Sequence, residues 1–247
     1  MELVPPTLVL FCATLAFVAV LYASVGQAGA SGFVAVMALF GFAPEVIKPT
    51  ALVLNVLVSS VVALRFGRAG YFSWPVLRPF LIASIPTACL GGYLTLPAGV
   101  FNLVLGVLLL AAGLPFFMRK TGHEPHVVPL PCIPAVLAGG VIGLLSGLTG
   151  MGGGVLLAPL LLYCNWTSIR TAAAVSAVFI FVNSAMALLG HLTIAGQLPA
   201  ELSWFALAAV LGGAIGAQLG NRHLPVGIIY RVLGAILMIA GLKLVWV

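Results

Sequence analysis

Long apolar stretches, each ended by glycine, proline or an isolated charge, fill almost the whole chain. They fall at about 6–24, 29–42, 49–65, 76–96 and 100–118, and again at about 132–147, 150–164, 169–190, 203–220 and 226–246. Most can cross the ~30 Å hydrocarbon core of a bilayer as a helix rising 1.5 Å per residue. The pattern predicts an all-α polytopic integral membrane protein with about eight full spans. The second and seventh stretches fall short, because roughly 13 to 15 apolar residues do not reach across ~30 Å. Each starts at a glycine cluster, so a broken or re-entrant helix is expected there.

Two sets of five stretches suggest a duplication, and three matches support it. Gly26-Gln27-Ala28-Gly29-Ala30-Ser31-Gly32 aligns with Gly147-Leu148-Thr149-Gly150-Met151-Gly152-Gly153-Gly154. Ile47-Lys48-Pro49-Thr50-Ala51 aligns with Ile169-Arg170-Thr171-Ala172-Ala173. Asn102 to Gly106 with Gly113-Leu114 aligns with Tyr230 to Gly234 with Gly241-Leu242. The expected organisation is a first transmembrane repeat over 1–118, a cytoplasmic linker over 119–131 and a second repeat over 132–247.

Composition fixes the solvent. Of 247 residues 63% are hydrophobic and 6% charged, against about 25% charged in a soluble domain. Lipid must surround most of the chain. The acidic residues are Glu2, Glu45, Glu124 and Glu201, with no aspartate, which removes most ways to build a carboxylate dyad or a hard-cation cage. A Mg- or Ca-dependent enzyme is excluded, and no metal or cofactor is expected. The ten Lys and Arg are scattered singly, so they form no basic patch for nucleic acid. Cys12, Cys89, Cys132 and Cys164 have no metal or redox spacing and are expected to be buried free thiols. The first apolar run lacks a basic leader and reads as a retained membrane segment.

The cations instead report topology. Arg65, Arg68 and Arg78 flank the third-to-fourth connection of the first half, whereas the matching stretch of the second half, Gly190 to Ser203, has none. The fourth-to-fifth connection reverses this, with Arg222 in the second half only. The positive-inside rule then gives the halves opposite orientations, the inverted-repeat plan of many secondary transporters. Both termini are expected outside, with Arg119-Lys120 inside.

The glycine clusters carry the candidate chemistry. An unwound glycine turn leading into a helix presents backbone N–H groups at the positive end of the helix dipole, and glycine lets an anion approach them. Gly26, Gly29 and Gly32 in one half, and Thr149, Gly150, Gly152, Gly153 and Gly154 in the other, are therefore candidate substrate-binding residues. Polar side chains inside the third and eighth stretches add donors: Thr50, Asn55, Ser59 and Ser60, and Thr171, Ser176, Asn183 and Ser184. Asn55 and Ser176 are the preferred ligands. Lys48 and Arg170, at matching positions, are candidates for drawing an anion to each mouth, and His191 for carrying a proton. Gly212, Gly216 and Gly220 read instead as helix-packing glycines.

These features resemble the TauE/SafE-type sulfite exporter family of anion permeases. The resemblance rests on an apolar segment followed by the run Gly147 to Gly154 with Pro159, then Arg170-Thr171-Ala172, and on a weaker copy in the first half. Gly150, Gly152, Gly153 and Gly154 match the family's glycine run, while the first half has Ala30, Ser31 and Phe33 where a fuller run has glycine. The resemblance implies outward movement of sulfite, sulfonates or related anions across the cytoplasmic membrane. Organic-acid anions are the alternative substrates, and a passive anion channel the alternative mechanism. A remote alternative is an intramembrane serine hydrolase, in which Ser31 of Gly29-Ala30-Ser31-Gly32 is the nucleophile and His191 its base.

Overall fold

The structure, a computed structural model, describes residues 5–118, 128–192, 198–220 and 226–246. They form α1 (Pro5–Ser24), α2 (Ala30–Leu39), α3 (Pro44–Arg68), α4 (Trp74–Tyr93), α5 (Ala98–Met118), α6 (Cys132–Thr149), α7 (Gly154–Tyr163), α8 (Ile169–Leu192), α9 (Leu202–Leu219) and α10 (Val226–Trp246). No strand occurs among the described residues. Every predicted apolar stretch is a helix. α1, α3, α4, α6, α8 and α9 are long and apolar enough to cross a membrane, and α5 and α10, at 21 residues each, have the length to do so. The two short stretches contract to ten residues apiece in α2 and α7, about 15 Å of helix. Arg119, Lys120, Glu124 and Arg222 lie outside the described residues.

The duplication is visible in how helices pair. α1 packs on α9 and α4 on α6, α3 on α9 and α4 on α8, and α2 on α3 and α7 on α8. Exchanging the two sets of five turns each contact into its partner, while α3 with α8 and α5 with α10 map onto themselves. Glycines give the directions. A Cβ added at Gly106 would lie 3.0 Å from Gly241 O, and one at Gly113 would lie 3.3 Å from Gly234 O, so α5 and α10 cross antiparallel. Since α5 and α10 are equivalent helices running in opposite directions, the two-fold axis lies across the helices. That is the inverted arrangement.

Close packing holds this bundle, because lipid removes the hydrophobic drive between helices and leaves backbone approach as the main attraction. Gly212, Gly216 and Gly220 face the carbonyls of Ala16, Val20 and Ser24, at 2.3, 2.2 and 2.2 Å from an added Cβ, which makes α9 parallel to α1. Gly139, Gly143 and Gly147 face Phe80, Ser84 and Ala88 in the same way, at 2.2, 2.6 and 2.2 Å, making α6 parallel to α4. Gly147 is thus a packing glycine inside α6 and not part of the unwound turn. The cysteines are free as expected, but Cys12, Cys89 and Cys164 are only half-buried and Cys132 is exposed. A thiol is apolar enough to face lipid, so it needs no protein burial here.

Candidate functional site

The link between α1 and α2 and the link between α6 and α7 share a backbone conformation that only glycine adopts without strain. Gly26 (φ 78°) and Gly29 (φ 88°) bracket the first, and Gly150 (φ 79°) and Gly153 (φ 75°) the second. Gly29 and Gly153 are the N-caps of α2 and α7. Conformation therefore pairs Gly26 with Gly150 and Gly29 with Gly153, three residues away from the letter-by-letter alignment. Under this register Ser31 corresponds to Val155, not Gly152.

Each turn lies against the other half. A Cβ on Gly26 would meet Ala173 Cβ of α8 at 2.2 Å, and one on Gly150 would meet Lys48 O and Ala51 Cβ of α3 at 3.0 and 3.6 Å. Ala51 and Ala173 are themselves equivalent, so the halves interleave symmetrically. Asn55 strengthens one of these contacts, its Nδ2 donating to Gly150 O at 2.8 Å. At Gly152 (φ 67°) the turns meet: a Cβ there would lie 2.8 Å from Ile180 Cγ2, 2.9 Å from Ser184 Oγ and 3.3 Å from Ala30 Cβ. Ile180 is midway along α8, which sets the meeting point at mid-depth.

The chemistry at this point is that of donors. Among the described residues, the amides of Ala28 to Gly32 and of Met151 to Val155 have no hydrogen-bond acceptor, and all of these residues are buried. Helix N-termini always leave amides unpaired, but burying them without partners is unusual. Nearby helices contribute buried hydroxyls that also lack partners: Thr50 on α3, and Ser176 and Ser184 on α8. The described acidic residues, Glu45 and Glu201, stand at helix ends. Two positive dipole ends with neutral donors and no carboxylate suit a small anion.

Other candidates have different placements. Gly32 and Gly154 lie within helices, where a Cβ would meet Val18 and Tyr22, or Ile180; they bring α2 onto α1 and α7 onto α8. Thr149 Oγ1 donates to Leu145 O in its own helix at 2.7 Å. Ser31 Oγ pairs with the buried Tyr22 hydroxyl at 3.0 Å. His191 is in the last turn of α8, beside the Gly92 backbone and Lys48, and the Ser31 hydroxyl is held by Tyr22 instead, so the Ser31–His191 dyad is not formed.

Lys48 is not poised at an open mouth. It is 5% exposed, and its Nζ donates to the carbonyls of Gly91, Gly92 and Leu94 at 2.9, 2.9 and 2.7 Å, closing the C-terminal end of α4. Arg170 stays exposed, with Nη1 on the Tyr71 hydroxyl at 2.5 Å and its guanidinium 5.1 Å from the ring centroid. Lys48→Met should lower stability by about 1.5–3 kcal/mol, the worth of hydrogen bonds from a charged donor. Arg170→Ala, by contrast, should change it by under about 0.5 kcal/mol. Thermal unfolding in detergent checks both. Lys243 closes α2 in a similar way, reaching Ala38 O and Leu39 O at 3.1 and 2.8 Å.

Sequence reasoning counted Asn183 and Ser184 among the donor-bearing side chains but preferred Asn55 and Ser176, although Ser184 is the one that faces Gly152 of the second turn. Nothing in their letters separates them from ordinary interhelical polar groups.

Comparison with known proteins points to a membrane transporter. The family model described as "Sulfite exporter TauE/SafE" matches residues 11–244. The protein named "Probable membrane transporter protein y4hK" of Sinorhizobium fredii is 42% identical over 233 residues, covering 93% of this chain and 94% of that protein. "Probable membrane transporter protein YunE" of Bacillus subtilis is 23% identical, covering 82% of this chain and 81% of its own. "Probable membrane transporter protein MamO" of Paramagnetospirillum magneticum is 27% identical over 84% of this chain but only 39% of its own. No solved structure matches. With the family match spanning nearly the whole of a polytopic helical bundle, the chain belongs to the sulfite exporter TauE/SafE family and is a multi-pass membrane transporter of that type.

Proposed function

We propose that the chain is a secondary carrier that moves a small anion, with sulfite, a sulfonate or another sulfur oxyanion as substrate, outward across the cytoplasmic membrane. The observation behind this reading is the double row of buried, unpaired amides where the N-terminal ends of α2 and α7 meet. Neutral donors compensate a single negative charge without adding a fixed counter-charge that would hold it. A sulfur oxyanion presents oxygens in several directions and so meets amides from both turns at once. Inverted, interleaved halves around a mid-depth site fit alternating access better than a fixed pore. The arginine-bearing connections face the cytoplasm in this proposal, which puts both termini outside. The first repeat ends near 118 and the second begins near 132. Among the described residues the carboxylates, Glu45 and Glu201, stand only at helix ends, so a coupled proton rides on His191 or on the substrate itself.

The test is thermal stabilisation of the purified protein by sulfite, sulfate, thiosulfate, taurine, acetate, lactate and chloride. A true ligand at a hundredfold excess over Kd stabilises the folded state by about 2.7 kcal/mol. Gly153→Val should unfold at a measurable midpoint yet show no shift, because a Cβ there would lie 2.9 Å from both Ile142 Cγ2 and Phe179 Cε1 on a left-handed backbone. No shift with any anion in the native chain overturns the proposal.

A further inference from the structure

Two buried asparagine carboxamides, on α3 and α8, limit what the ligand must look like. Asn55 lies near the centre of α3 and Asn183 near the centre of α8, and both are fully buried. Each donates its Nδ2 to a backbone carbonyl, Asn55 to Gly150 O at 2.8 Å and Asn183 to Phe179 O at 2.9 Å. A carbonyl only accepts, so these bonds fix which end of each carboxamide is oxygen. Both oxygens, Asn55 Oδ1 and Asn183 Oδ1, are buried without a partner.

Their positions tie them to the amide rows. Asn55 Oδ1 shares a planar carboxamide with the nitrogen that holds Gly150, the residue opening the second turn. Asn183 falls one helical turn beyond Phe179 and Ile180, whose side chains would touch a Cβ on Gly153 and on Gly152 and Gly154, so it extends the same face of α8. A site for a bare anion needs donors only, and an unpaired carbonyl oxygen beside a negative ligand is unfavourable. A ligand that carries its own O–H or N–H satisfies it.

We infer that Asn55 and Asn183 are specificity-determining acceptors, and that the carrier selects a singly charged oxyanion that itself bears a hydrogen-bond donor. Hydrogensulfite, sulfamate and hydroxy-substituted sulfonates belong to that class; fully ionised sulfate and simple alkyl sulfonates do not. The inference rests on the anion-carrier reading and adds the chemical class of the substrate to it.

Sulfamate and methanesulfonate test it directly, since both are monoanions of nearly the same shape and differ in an amino against a methyl group. Their dissociation constants are measured by calorimetry on the purified protein, with sulfite as reference. The expected result is sulfamate tighter by at least about tenfold, because a buried acceptor left unpaired by the methyl analogue is costly. Asn183→Leu should bring the ratio toward one, chiefly by tightening methanesulfonate, whose complex no longer buries that unpaired acceptor, and it leaves the Gly150 contact intact. Asn55→Leu should do the same if it folds, and the native ratio with Asn183→Leu decides the matter if it does not. Equal affinities in the native chain, a preference that survives both substitutions, or sulfite binding without sulfamate binding would each overturn the inference and leave the carrier standing. If none of the three anions binds and none of the wider panel stabilises the chain, the carrier reading itself falls.

Discussion

Gly152→Ala is expected to cut anion transport by more than about tenfold while leaving a folded protein. Two costs act together there. The left-handed backbone penalises any Cβ by about 1–3 kcal/mol, and this Cβ would also press on Ile180, Ser184 and Ala30 where the turns meet. Ile180 and Ser184 side chains can rotate away, so the fold survives, but the methyl stays among the unpaired amides. Gly70→Ala is the matching control: its φ is 77° and nothing lies within 4 Å of an added Cβ. It carries the backbone penalty alone. Uptake of labelled sulfite into proteoliposomes, beside thermal unfolding of each variant, separates the two effects. Equal transport by both variants would mean that the meeting of the turns is not on the substrate path.

Gly216→Val should have the largest effect on folding. Its Cβ would lie 2.2 Å from Val20 O, and the neighbouring glycines of that stripe sit as close to Ala16 O and Ser24 O. Overpacking among mobile side chains costs about 1–3 kcal/mol, but a carbonyl oxygen inside a helix cannot swing aside. α1 and α9 would have to separate along their whole crossing. Yield and monodispersity on size exclusion in detergent are expected to collapse, whereas Gly99→Val, with open space around it, behaves like the native chain. A monodisperse Gly216→Val of unchanged midpoint would refute the close crossing.

The spans were legible in the sequence because a bilayer demands long apolar helices, and the duplication because charges and glycines recur across the linker. The register of the turns was not. Gly26, Gly29 and Gly32 are spaced by three, as are Gly147, Gly150 and Gly153, so three glycines match in the letter alignment and only two after the three-residue slip that the structure requires. Only the sign of φ decides. The packing stripe Gly212, Gly216 and Gly220 could be read because its period of four marks one helix face. Lys48 could not, since the carbonyls it reaches belong to the far end of another helix. The acceptor side of Asn183 was hidden for a similar reason: it lies in a bond the oxygen fails to make.

The interleaving of the turns also bears on how the protein is made. Gly26 docks on Ala173, and at about 5–20 residues per second of synthesis the ribosome takes roughly 7–30 s to travel from one to the other. Throughout that interval the first unwound turn has no seat. The brace that Lys243 places on α2 comes later still, 70 residues after Ala173. The newly inserted first half must therefore wait as an open assembly, its polar turn sheltered by the insertion machinery or by water, and it closes only when its sister arrives.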